Sequence, residues 1–182
     1  MGVGRGEPAI TPLFSADAIA QRIEQLAGAI AGAGLHDPLI VAVLKGSFIF
    51  AADLVRALHR AGLKPEIDFV SLASYGAGTV SQGSVAVLRD VGSAVAGRDV
   101  VLVDDILDSG RTLVFAKALL SERGARKVLT CVLIDKEGPR AVPITPDFSG
   151  FVCPPVFVVG YGMDLGHRYR ELPFIGVVAS SA

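Results

Sequence analysis

The stretch of this chain with the most chemistry in it is Asp104-Asp105-Ile106-Leu107-Asp108-Ser109-Gly110-Arg111-Thr112, which follows the apolar run Val100-Val101-Leu102-Val103 and precedes an apolar helical pattern. Acid groups at the carboxyl end of a buried strand stand where open α/β sheets bind ligands. Ser109, Gly110 and Thr112 add two hydroxyls and an unhindered backbone at a helix start, where free N–H groups and the positive end of the helix dipole favour a phosphate. The loop therefore reads as a phosphate cradle. Three carboxylates beside it would repel a lone phosphate but suit a phosphorylated sugar with hydroxyls and magnesium. The bland alternative is that Asp104, Asp105 and Asp108 cap the helix and solvate a turn. That accounts for any one of them better than for the whole string. No G-x-x-x-x-G-K-[ST] occurs and no G-x-G-x-x-G follows a strand, so the nucleoside-triphosphate loop and the dinucleotide site drop out.

The elements that must position this stretch are legible from hydrophobic periodicity. Ser15 can cap a helix with Ile19, Ile23, Leu26 and Ile30 on one face, stopped by Gly32 and Gly34. Residues 39–44, 100–103 and 128–134 are apolar runs typical of strands buried on both faces. Helical patterns over residues 48–61 and 113–121 alternate with them, which predicts an α/β fold with a mainly parallel sheet flanked by helices. Weaker strands over 67–73 and 84–91 flank a polar, glycine-rich segment, 74–83, that reads as a mobile flap. Pro139, Pro143, Pro146, Pro154, Pro155 and Pro173 predict short strands and turns in the last third. Residues 1–11 read as a loose tail, and residues 1–182 as one domain.

Val101 to Thr112 resembles the signature with which phosphoribosyltransferases of the type I fold bind phosphoribosyl pyrophosphate. Leu44-Lys45-Gly46-Ser47 resembles that family's pyrophosphate loop, Ser74-Tyr75 its flap, and Lys136 with Phe157-Val158-Val159-Gly160-Tyr161-Gly162-Met163-Asp164 its 6-oxopurine pocket. The branch it is most similar to is the hypoxanthine phosphoribosyltransferases.

The resemblance implies a central sheet with a small hood and a flexible flap, and a reaction that joins a purine to phosphoribosyl pyrophosphate with release of pyrophosphate. It implies that Asp104 and Asp105 hold the ribose hydroxyls and help bind Mg2+, which Asp164 reaches directly or through water. Asp108 would exchange a proton with N7 of the purine, and Asp108 to Thr112, Arg111 included, would surround the 5′-phosphate. Lys45, Gly46 and Arg170 would meet pyrophosphate, at a loop where the family often has a cis peptide. Lys136 would donate to the exocyclic oxygen, Phe157 would stack on the base, Val158 would offer its carbonyl and Met163 would line the pocket. Arg168 is expected to be a solvent or interface charge, and His167 structural. Leu165 stands where the family commonly has an aromatic residue, and the choice between hypoxanthine and guanine stays open.

Composition sets the outer bounds. A chain of 182 residues with 51% hydrophobic and 19% charged residues can bury about 70% of its unfolded surface, which excludes disorder and fibrous repeats. Seventeen Lys and Arg against eighteen Asp and Glu give a net charge of −1, leaving no general field for nucleic acid or an anionic membrane. Cys131 and Cys153 match no zinc or disulfide pattern, which points to a reducing cytoplasm. No apolar run is long enough to span a membrane. The competing functions are an RNA-contacting regulator on the same fold, with Arg56, His59, Arg60 and Lys64 as its basic patch, and a phosphoribosyltransferase for another base. A homodimer or homotetramer is expected.

Overall fold

The computed structural model describes residues 8–75 and 84–179. Six strands form the main sheet: β2 (Leu39–Leu44), β3 (Glu66–Tyr75), β4 (Ser84–Arg89), β5 (Asp99–Leu107), β6 (Lys127–Lys136) and β7 (Phe148–Cys153). Their order is β4-β3-β2-β5-β6-β7, all parallel except β4, which runs antiparallel to β3 at the edge. The flap segment expected over 74–83 lies outside the described residues, apart from the backbone of Ser74 and Tyr75 at the end of β3.

Alternation along the central strands divides the core. Ile40 and Ala42 of β2 and Val101 and Val103 of β5 join one buried cluster with helices α1 (Ala16–Ala31) and α2 (Phe48–Arg60). Leu39, Val41 and Val43, with Val100 and Leu102, join a second cluster with α3 (Arg111–Glu122). Successive side chains of a strand point to opposite faces, so a run apolar at every position needs helices on both sides. In α1 the buried residues are those expected from the sequence, with Ala27, and the Ser15 hydroxyl accepts the Ala18 N–H at 3.2 Å.

Three differences from the sequence-based expectation matter. The loose tail ends earlier than Thr11: Ile10–Phe14 is strand β1, paired antiparallel with β9 (Ile175–Val178). With β8 (Val158–Val159) these make a separate three-stranded sheet in the order β1-β9-β8. Strand β5 continues past Val103 through both aspartates, because β6 runs alongside and pairs Asp104 with Val132 and Leu107 with Asp135. Likewise Lys136 is the last residue of β6 rather than a loop residue after it. The outcome for the site is that β2, β5 and β6, parallel neighbours, all end at one edge of the sheet and deliver Lys45, Asp108 and Lys136 there.

Candidate active site

At that edge lies a cleft of about 270 Å³, lined by Gly46, Asp104, Asp105, Asp108, Ser109, Gly110 and Thr112 and floored by Val43, Leu72 and Leu113. The phosphate loop is shaped by Gly110, whose φ of 80° is left-handed and starts α3. Its Hα side faces the Val142 carbonyl so closely that a Cβ would collide with it. The Arg111 N–H reaches the Ser109 hydroxyl at 3.4 Å, and the cleft is lined by Ser109, Gly110 and Thr112 at the start of α3, the end of a helix that favours an anion.

On the other side, the Leu44–Lys45 peptide is cis. A Cβ at Gly46 would collide with the Asp105 carboxylate, and one at Gly162 with the Gly46 carbonyl. The Gly46 backbone is thus packed directly against the Gly162 backbone and the Asp105 carboxylate, with no room for a side chain at either glycine. Gly162 belongs to a bent loop in which Tyr161, His167 and Tyr169 all hold positive φ. Its anchors are the Tyr161 hydroxyl, which donates to Asp53 of α2, and Arg170, which donates to the Gly162 carbonyl at 2.5 Å and pairs with Asp164 at 2.7 Å. His167 acquires a partner that the sequence did not suggest: its backbone N–H donates to Asp164 at 2.7 Å. Arg168 is exposed, as expected.

Asp104 is 7% exposed and its Oδ1 accepts the Asp105 N–H at 3.0 Å. Burial, and then the Asp105 charge, holds the Asp104 carboxyl well above the usual carboxylate range. Burial also raises Asp105, opposed first by its hydrogen bond with Asp104 and the nearby backbone N–H groups and only then by the Arg170 guanidinium. Such a pair lacks a full counter-charge, and a divalent cation with oxygen preference suits it. Among the described residues no three His, Cys, Asp or Glu side chains converge as a metal cluster. Asp164, held by Arg170 and the His167 N–H, therefore does not join Asp104 and Asp105 at one point. A magnesium ion bound here would take most of its oxygens from substrate and water, its common habit in phosphate sites.

These shifts carry a sign. Both carboxyls are raised, so the folded chain binds their protons more tightly than the unfolded chain does. In chelator and without substrate, that stabilisation is full below the ordinary aspartate pKa of about 4 and is lost as pH rises through the raised values. Asp104→Asn is expected to raise the thermal unfolding midpoint at neutral pH by about 2–8 °C, corresponding to ~1–2 kcal/mol, and to flatten the dependence on pH. A lowered midpoint would show that the carboxylate is stabilised in the fold.

Lys136 and Asp108 face each other. The ammonium is 3.3 Å from Asp108 Oδ2, with the lysine side chain 15% exposed and the aspartate 67% exposed. Phe157 is 52% exposed, and its carbonyl accepts the Val178 N–H at 3.1 Å. Val158 is buried in β8, paired with Val177. Met163 is 4% exposed and belongs to the core cluster that includes residues of α1 and α2, and its backbone pairs with Gly160. Sequence reasoning passed over Asp135 and Arg140, whose side chains pair at the end of β6; an arginine four residues after Lys136, beyond a Gly-Pro turn, was the available signal.

A mainly parallel sheet whose strand ends bring together a paired-acid strand, a glycine turn at a helix start and a close Gly46–Gly162 contact presents the groups that a phosphorylated sugar requires. The chain belongs to the phosphoribosyl transferase domain family, whose model matches residues 10–165. It is 40% identical over 168 residues to the hypoxanthine-guanine phosphoribosyltransferase of Bacillus subtilis, covering 91% of each chain. It is 44% identical over 167 residues to the bifunctional protein TilS/HprT of Listeria innocua, covering 91% of this chain and 25% of that protein. The chain thus spans about a quarter of the length of that bifunctional relative. A solved structure of the Trypanosoma cruzi hypoxanthine phosphoribosyl transferase superposes with a TM-score of 0.87 at 37% identity, covering 95% of this chain and 93% of that one.

Proposed function

We propose that this chain transfers the 5-phosphoribosyl group from phosphoribosyl pyrophosphate to hypoxanthine, and to guanine, giving IMP or GMP and pyrophosphate in purine salvage. One observation carries the reading: the Lys136 ammonium lies 3.3 Å from the carboxylate of Asp108, a residue that lines the cleft. Exocyclic O6 and ring N7 are adjacent on one edge of a 6-oxopurine. A donor for the first and a proton acceptor for the second, side by side, match that edge.

In the proposed step the N9 lone pair of the N7–H purine forms the bond to C1′ of the ribose. The C1′–oxygen bond breaks, its electron pair leaves with pyrophosphate, and the N7 proton passes to Asp108. Charge separates in the transition state, so groups preset around it supply most of the rate. Asp104 and Asp105 hold the ribose hydroxyls, while Ser109, Gly110, Arg111 and Thr112 hold the 5′-phosphate. Lys45, Gly46 and Arg170 meet the departing pyrophosphate. Asp104 and Asp105, with Asp164 directly or through water, are the residues that would hold magnesium, which when bound offsets the negative charge of pyrophosphate. Phe157 stacks on the base, and Val158 offers its backbone carbonyl to it.

The RNA-contacting alternative loses its main support, since Arg56 pairs with Asp53 and Arg60 with Glu24, so half of the basic patch is neutralised. No described helix is long and apolar enough to cross a membrane. A reducing cytoplasmic setting and a homodimer or homotetramer complete the proposal. Phe48 at the start of α2, 44% exposed, is an apolar residue available to such an interface. The test is a spectrophotometric assay with phosphoribosyl pyrophosphate, magnesium and each of hypoxanthine, guanine, xanthine and adenine. Turnover of hypoxanthine with rejection of adenine is expected; turnover of adenine alone would reassign the pocket.

A further inference from the structure

Arg140 is not among the residues lining the cleft, yet it fastens the turn that follows Lys136. After Lys136 the chain turns away and returns at Ile144. The Arg140 guanidinium closes that turn: Nη1 donates to the Ile144 carbonyl at 2.6 Å, and Nη2 donates to the Asp135 carboxylate and to the Lys136 carbonyl at 3.3 Å. Both side chains of the Arg140–Asp135 pair are largely shielded, at 20% and 22% exposed. A planar guanidinium holds several acceptors at fixed angles, which a lysine ammonium on a flexible stem does not.

The far side of the same turn rests on the phosphate loop. The Val142 N–H donates to the Ser109 carbonyl at 3.0 Å, and the Val142 carbonyl fills the space a Cβ at Gly110 would need. Ile144 packs on the core cluster that contains Leu107 and Leu113. Those two residues bracket the phosphate loop in sequence, one ending β5 and the other in the first turn of α3. One turn therefore contacts both Lys136 and the Ser109–Gly110 backbone, and Arg140 is what pins its two ends together.

We propose that Arg140 is a positioning residue that joins the Lys136 end of β6 and the 109–112 loop into one rigid unit, fixing the separation between the base-reading ammonium and the 5′-phosphate site. The proposal rests on the purine reading of Lys136 above. A base and a phosphate joined through one ribose need a fixed spacing, and misplacement by about 1 Å costs on the order of 10²-fold in rate.

The test uses Arg140→Lys and Asp135→Asn in the full chain, with Lys136→Gln as reference. Arg140→Lys keeps the charge and loses the fork. It is expected to lower kcat/KM for hypoxanthine by roughly 10²-fold, to raise KM for phosphoribosyl pyrophosphate, and to narrow the hypoxanthine-to-adenine ratio of kcat/KM. Loss of folded protein lowers both bases equally and leaves that ratio unmoved. Asp135→Asn, which keeps the shape and one acceptor, should move the same two quantities in the same direction and less; it carries the test alone if Arg140→Lys does not fold. In the Lys136→Gln background, Arg140→Lys should change the base ratio no further, because coupled residues are not additive. Variants that keep both the base ratio and the KM for phosphoribosyl pyrophosphate overturn the role of Arg140 while leaving the purine reading intact. A Lys136→Gln ratio equal to wild type overturns that reading, and the role of Arg140 with it.

Discussion

Asp108→Asn is expected to lower kcat with hypoxanthine by about 10²- to 10⁴-fold, the range for removing a positioned acid–base group. The argument starts from where the side chain lies. Asp108 follows the last residue of β5 and precedes the Gly110 turn, so its backbone belongs to the phosphate loop while its carboxylate, 67% exposed, is directed at the cleft mouth. The amide has the same shape and can still accept from Lys136, whose ammonium is 3.3 Å from Oδ2. What it cannot do is take the N7 proton. The phosphate loop geometry comes from Gly110, Ser109 and the Val142 contact, none of which the substitution touches. KM for phosphoribosyl pyrophosphate should therefore change little while kcat falls, the pattern of an interaction made only in the transition state. The unfolding midpoint should stay within about 2 °C, since the replaced side chain is exposed and the amide oxygen still accepts from the shielded Lys136 ammonium. Steady-state kinetics on hypoxanthine decide it: an unchanged kcat removes Asp108 from proton transfer.

The sequence made the site legible because its residues are contiguous and the strands that carry them are apolar at every position. The run of residues 39–44 has Leu39, Val41 and Val43 in one cluster and Ile40 and Ala42 in the other, a pattern that only a strand covered on both faces produces. What was hidden depended on partners distant in sequence. Ile10–Phe14 contains Pro12 and shows no clean alternation; it is a strand only because β9, from the other end of the chain, lies beside it. Asp104 and Asp105 have poor intrinsic strand preference, and they stay in β5 because β6 continues past them. Met163 likewise is paired through its backbone with Gly160 and joins a core cluster most of whose members lie far off in sequence. Periodicity reports that a side chain is buried and says nothing of what it is buried against.

Lys136→Gln is expected to narrow the discrimination between hypoxanthine and adenine, which in the unsubstituted protein should be about 10³-fold or more in kcat/KM. Hypoxanthine presents O6 as an acceptor; adenine presents an amino donor at the same place. The Lys136 side chain is only 15% exposed, and an ammonium has three donors and no acceptor, so adenine would set donor against donor at a shielded ammonium left with Asp108 as its partner. Mismatches of that kind cost several kcal/mol, which is where the large rejection comes from. An amide can rotate to offer either its oxygen or its NH₂. The glutamine variant should thus lose much of its rate on hypoxanthine and lose less on adenine. The substitution also removes an ion-pair partner of the Asp108 carboxylate, but Asp108 acts at N7, which both bases share. Any change in its proton affinity scales the two reactions together and cancels in the ratio. The hypoxanthine-to-adenine ratio of kcat/KM, measured in parent and variant, therefore isolates the reading of position 6, and an unchanged ratio would mean that a group other than Lys136 performs it.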